Sequence, residues 1–301
     1  MLDALAWFFQ QVLLGFVNFF ATIANAPLWL NWSDPQAIVR VIYYGASVEF
    51  FFVVFNTVLV LTVIGLFRPS FMWGSVRVLE GTANGIGRVA AWAGLIMVLQ
   101  QVIIVFVQRI FAVSQISLGL GTSVAFDISW WSESLKFYNA MIVALCVSYT
   151  FVQGGHVRVD ILYANVSYRV RKWIDMLGGI IFMLPVSLLI WHYSWFFLWR
   201  HLIVPAPSAS DELDRMLMRA QVLRWNVETT GFSPQGFSAY FLFKVLLVLF
   251  AALVFLQAIA VIWRAILEMR EGEESDGKNI DRDTLGDPAE EKQHEIHSGA
   301  A

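Results

Sequence analysis

The chain of 301 residues is 58% hydrophobic and only 14% charged, with 13 Trp and 25 Phe. Soluble domains carry about 25% charged residues, so this composition, with a mean hydropathy of +0.64, excludes a soluble enzyme and implies a polytopic membrane protein. The net charge of −3 hides an asymmetry, since residues 271–301 hold 10 acids and 3 bases whereas residues 1–270 hold 13 acids and 17 bases. Neither part suggests nucleic-acid binding, and Cys146, the single cysteine, excludes an intrachain disulfide and any Cys-based metal cluster.

A membrane-spanning helix needs roughly 20 mainly apolar residues, and six stretches qualify: 5–25, 42–66, 89–111, 130–152, 174–198 and 239–262. The first carries Gln10, Gln11, Asn18 and Asn25 and is the one compatible with lying flat at the interface. Its Ala24-Asn25-Ala26 can be read as a signal-peptidase site, but no Lys or Arg precedes the apolar stretch, so a retained helix is expected. Between the second and third spans, Gly81 to Gly87 reads as a flexible connector, because the glycines follow no strand and match no phosphate-binding loop. Gly154 and Gly155 are suited to end the fourth span. The fifth carries Gly178-Gly179 and Pro185, which predict one kinked helix, and Trp191, Trp195 and Trp199 repeat on one face near its outer end as expected interfacial anchors. A short surface helix is expected within Ser208 to Arg224, and the acidic tail from Glu271 is expected to be disordered.

Lys and Arg in short loops set orientation. Arg68, Arg77 and Arg88 follow the second span, Arg158, Arg169, Arg171 and Lys172 follow the fourth, and Arg264 and Arg270 follow the sixth. These place both loops and the C-terminus in the cytoplasm. Glu49, Lys136, Asp175 and Lys244 all fall within about two turns of a span end, where long side chains reach the surface. The middle of every span is uncharged, and Gln100, Gln101, Asn56, Thr57, Thr62 and Gln257 are its most polar residues. Such groups join helices by hydrogen bonds. Without mid-span charges or paired broken helices, the chain is not expected to carry an ion-coupled solute alone. His192, the one histidine within a predicted span, does not suffice for haem held between helices, and Gly45-Ala46-Ser47-Val48 lacks the last glycine of an intramembrane serine protease motif. No enzymatic activity and no cofactor are expected.

Two patches carry a family resemblance. Trp130-Trp131-Ser132-Glu133-Ser134-Leu135-Lys136 opens the fourth span, and Gly155-His156-Val157-Arg158-Val159-Asp160 follows it. Together they resemble the small membrane subunit of TRAP transporters, the DctQ-like family. Ser134 stands where that family often has a second acid, and Lys136 where it has arginine, which keeps the charge but loses bidentate pairing. The resemblance implies an all-α membrane protein of about six transmembrane helices: a four-span core over 89–270, an N-terminal addition of two spans over 1–88, and the tail 271–301.

It further implies a supporting role beside a large TRAP membrane subunit, which moves an organic acid by sodium-coupled transport after delivery by a periplasmic substrate-binding protein, all at the bacterial inner membrane. Candidate interface or structural residues are Arg109, Glu133, Lys136, His156, Arg158 and Asp160. Glu133 and Lys136, three apart on a helix, share a face and can pair with each other, with Arg109 or with the partner. A membrane-anchor subunit of a respiratory enzyme and a scaffold of another membrane complex are the alternatives.

Overall fold

A computed structural model describes residues 2–112, 115–119, 123–154, 166–226 and 240–281. Six helices in it are long and apolar enough to cross a membrane: Asp3–Ala24, Val48–Phe67, Pro69–Ile110, Trp130–Val152, Tyr168–Leu202 and Phe241–Glu271. The protein is an all-α membrane protein, and each predicted span maps onto one of these helices, although the second starts at Val48 and not at 42, because residues 42–44 belong to a separate helix, Pro35–Tyr44.

In chain order, α1 (Leu2–Ala24) is followed by the short α2 (Pro27–Leu30) and by α3 (Pro35–Tyr44). Asp34 starts α3 by accepting from the Gln36 amide at 3.0 Å, with Pro35 in the first turn. Ser47 likewise starts α4 (Val48–Phe67) by accepting from the Phe50 amide at 3.2 Å. Helix α5 (Pro69–Val105) begins one residue later and ends in a π turn at Phe106–Ile110. Its 42 residues with that turn extend about 63 Å at 1.5 Å per residue, twice the roughly 30 Å of a bilayer's hydrocarbon. A β-hairpin, β1 (Gln115–Gly119) with β2 (Ser123–Asp127), leads into α6 (Ile128–Val152).

The fifth span joins α7 (Tyr168–Gly178) to α8 (Leu184–Leu202) through a π turn at Gly179–Met183, immediately ahead of Pro185. That π turn and proline supply the irregularity expected of this span. A two-residue strand, β3 (Ile203–Val204), pairs with β4 (Arg224–Trp225) and flanks α9 (Leu213–Arg219). Helix α10 (Phe241–Glu271) closes the bundle.

Helix α10 is the hub. Half of its most apolar stretch is buried inside the chain, against 6% for α1, and it packs on α5, α6, α7 and α8. Lipid is as apolar as leucine, so close contact and hydrogen bonds hold membrane helices together. Along the antiparallel α5–α6 pair, Gly87 faces Tyr149 and Gly94 faces Ile142. Further along, the Gln100 amide donates to Ser134 Oγ at 2.7 Å and to the Trp131 carbonyl at 3.0 Å. The Asn56 amide of α4 donates to the Val12 carbonyl of α1 at 2.7 Å beside Gly15. Trp263 donates to Thr62 Oγ1 at 2.8 Å, tying α10 to α4. These mid-span polar groups join helices, as expected for Gln100, Asn56 and Thr62.

Three local expectations change. The stretch Gly81 to Gly87 is not a connector but part of α5, and Met72, Trp73, Val76, Glu80, Ala83, Asn84 and Gly87 form its buried stripe. The predicted surface helix shortens to α9, followed by a 3-10 turn at Ala220–Val222. The tail is ordered beyond Glu271, with residues 272–281 folded back over the bundle; residues 282–301 lie outside the described residues.

The tryptophans of α8, expected as interfacial anchors, make specific contacts within the chain. Trp191 and Trp195 donate to the Gly45 and Ile42 carbonyls, each at 2.8 Å, and so satisfy carbonyls left open at the end of α3. Trp199 is buried in a core with Ile38, Val39, Ile42, Ile203, Met216 and Ala220. This core sits between α3, α9 and the end of α8.

Candidate functional site

Among the described candidates, Arg109 lies apart from Glu133 and Lys136. Glu133 is half-buried and Lys136 exposed, both in the first turns of α6, and Arg109 is exposed in the π turn ending α5. The pairing of Gln100 with Ser134 puts Arg109 about 12 Å along the axis beyond the level of Glu133. His156, Arg158 and Asp160 lie outside the described residues. In the chain they follow the C-terminal end of α6. Gly154 adopts φ 73 and ends α6 there, as expected of a glycine at that position.

A different cluster dominates the end of the bundle that carries Arg88, Arg169 and Arg270, termed the basic end here. The Arg264 guanidinium of α10 makes a fork to Glu80 of α5, with Nε donating to Oε1 at 2.7 Å and Nη2 to Oε2. Its Nη1 donates to Glu268 Oε1 at 3.2 Å, one turn along α10. The other Glu268 oxygen accepts from Lys172 Nζ of α7 at 2.7 Å, and Lys172 reaches Asp276 at 2.7 Å as well. Glu80, Lys172, Arg264 and Glu268 are all buried. Arg264 also lies over the Trp73 ring, 5.3 Å from its centroid. Three carboxylates thus surround two cations.

Two physical facts explain why this cluster is stable where it is. Bidentate, charge-assisted bonds repay burial best, and every cation here has at least two acceptors. Tyr168 adds donors at the same level, its hydroxyl lying 3.2 Å from both the Glu268 and Gly272 carbonyls. The arrangement ties α5, α7 and α10 together. Sequence reasoning took Arg264 and Lys172 for topology-setting charges and passed over Glu80. The Arg264/Glu268 spacing of one helical turn was the available signal.

At the opposite end, Glu212 and Asp214 approach Tyr43 of α3. Burial, with the charges of Glu49, Tyr44, Glu212 and Asp214 adding to it, pushes the Tyr43 phenol up. Asp211 accepts from the Ser208 amide at 3.1 Å and shapes the local turn.

A bundle of six helices long and apolar enough to cross a membrane, with polar contacts between helices, defines a multi-pass membrane protein. Residues 122–268 match the family model described as tripartite ATP-independent periplasmic transporters, DctQ component. Over that region the chain is similar to the small membrane subunit of TRAP transporters. Neither the curated proteins nor the solved structures compared with it yield a match. The matched region runs from the β-hairpin to Glu268 and includes Glu133, Lys136, His156, Arg158, Asp160, Lys172 and Arg264; Arg109 and Glu80 precede it.

Proposed function

We propose that this chain supports a larger membrane subunit in sodium-coupled uptake of an organic acid delivered by a periplasmic binding protein. In this reading the basic end faces the cytoplasm of a bacterial inner membrane and the α3–α9 end faces the periplasm. The match of residues 122–268 to the DctQ component carries the proposal. The placement of mid-span polar groups in helix contacts supports it, because a scaffold needs an apolar, well-anchored surface and no ion path. Lys and Arg counts in the loops support the orientation. Glu133, Lys136 and Arg109 act at the periplasmic side of the subunit contact, and His156, Arg158 and Asp160 brace its cytoplasmic side.

A gentle-detergent pull-down of tagged protein from native membranes, with companions identified by mass spectrometry, tests this. Stoichiometric recovery of one larger multi-span protein supports the proposal. Recovery with redox subunits, or with no companion, overturns it. For the binding protein, replacing Asp211, Glu212 and Asp214 with Ala is expected to weaken docking and raise the half-saturating concentration for uptake; unchanged uptake kinetics would remove that contact.

A further inference from the structure

Two segments outside residues 122–268 meet at the basic end. One is the first half of α5, ahead of the match, and the other is residues 272–281, behind it. Gly272, at φ 94, turns the chain off α10, a conformation open to glycine and strained for other residues. A 3-10 turn at Glu273–Ser275 follows, held by Ser275 Oγ donating to the Gly272 carbonyl at 2.7 Å. The segment then crosses the ends of α6, α7 and α10 and the middle of α5.

Its contacts are dense for ten residues. Asp276 pairs with Lys172 of α7 at 2.7 Å. The Gly277 amide donates to Glu268 at 3.2 Å, and the Lys278 carbonyl accepts from Arg264 at 3.0 Å. Lys278 Nζ reaches Glu271 at 3.1 Å, whose other oxygen accepts from the Trp73 indole of α5 at 2.6 Å. Finally the Asp281 carbonyl accepts from Asn84 of α5 at 2.7 Å and from Gln153, at the end of α6, at 3.0 Å, while the Asp281 carboxylate pairs with Arg88 at 2.9 Å. The segment therefore closes over the Arg264–Glu80 fork between α5 and α10 and also touches α6 and α7.

We infer that residues 272–281 form a latch that locks the first half of α5 onto α6, α7 and α10. Through α5 it fixes the helices ahead of the matched region to the small-subunit core. The latch and the first half of α5 are a matched pair: Asn84, Arg88 and Trp73 have partners in or beside the strap, and the strap reaches the matched core through Lys172, Gln153, Arg264 and Glu268. Its outermost links are exposed ion pairs, which weaken with salt, so ionic strength opens the latch before the helices separate.

The test measures amide hydrogen exchange of the intact chain in detergent, read by mass spectrometry on the peptide that covers residues 272–281. Slow exchange is expected in low salt, and faster exchange at high salt or when Asp276→Ala and Lys278→Ala are introduced. Thermal unfolding in detergent is the second readout. Removing residues 282–301 is expected to leave the midpoint unchanged, whereas Asp276→Ala with Lys278→Ala lowers it by roughly 5 °C. Exchange of residues 272–281 as fast in low salt as in high salt, or equal midpoints for the double variant and the intact chain, overturns the latch. Both readouts concern this chain alone, so they stand whether or not a larger subunit co-purifies.

Discussion

Arg264 and Glu80 show how much a membrane protein can invest in one ion pair at the end of a span. With Arg264 forked onto Glu80 and bonded to Glu268, deleting one partner leaves a buried charge without its complement. Such deletions cost about 3–5 kcal/mol, whereas replacing both partners by apolar groups is often neutral. Glu80→Ala is therefore expected to lower the thermal midpoint strongly, and Glu80→Leu combined with Arg264→Met to recover most of the loss. A combined variant as unstable as the single one would mean that the pair matters for something other than charge compensation. Gln100 offers a milder case. Its bonds to Ser134 and the Trp131 carbonyl join α5 to α6, and between membrane helices such bonds average about 0.6 kcal/mol. Gln100→Leu is expected to shift the midpoint by a degree or two without dispersing the protein on size exclusion.

Among the elements, long apolar stretches were legible because a bilayer admits so few alternatives to a helix. The six spans, the end of α6 at Gly154 and the irregular fifth helix all followed from local sequence. What escaped was structure imposed from a distance. Gly81, Gly85 and Gly87 argue locally for a loop, yet the helix persists because Met72, Trp73 and Val76 pack on Ile259, Trp263 and Leu267 of α10. Gly87 itself is needed small, since an added Cβ would overlap Tyr149. Gly87→Val is expected to force α5 and α6 apart and reduce the yield of folded protein in fluorescence-detected size exclusion; Gly85, with nothing near its Cβ position, is expected to accept alanine. Likewise no local rule linked Trp195 to the Ile42 carbonyl, 153 residues away. Trp195→Phe removes that bond and is expected to cost about 0.5–1.5 kcal/mol, visible as faster proteolysis of the chain between α2 and α4. The cluster around Arg264 was illegible for the same reason, because Glu80 lies 184 residues earlier and Asp276 sits in a tail whose composition pointed to disorder.

For the molecule as a whole, the centre of the bundle is made last. The helices α1 with α4, and α5 with α6, can pair as neighbouring hairpins as soon as they leave the ribosome. Helix α10, on which α5, α6, α7 and α8 all lean, emerges after every one of them. Until then the earlier helices wait in the bilayer as separate pieces, with Glu80 and Lys172 facing no Arg264 or Glu268. The order of synthesis thus sets a period of vulnerability for quality-control proteases, which ends only when residues 241–271 have inserted. A chain stopped before Phe241 is expected to be degraded with a short half-life, and co-expression of a separate 240–301 fragment to prolong it.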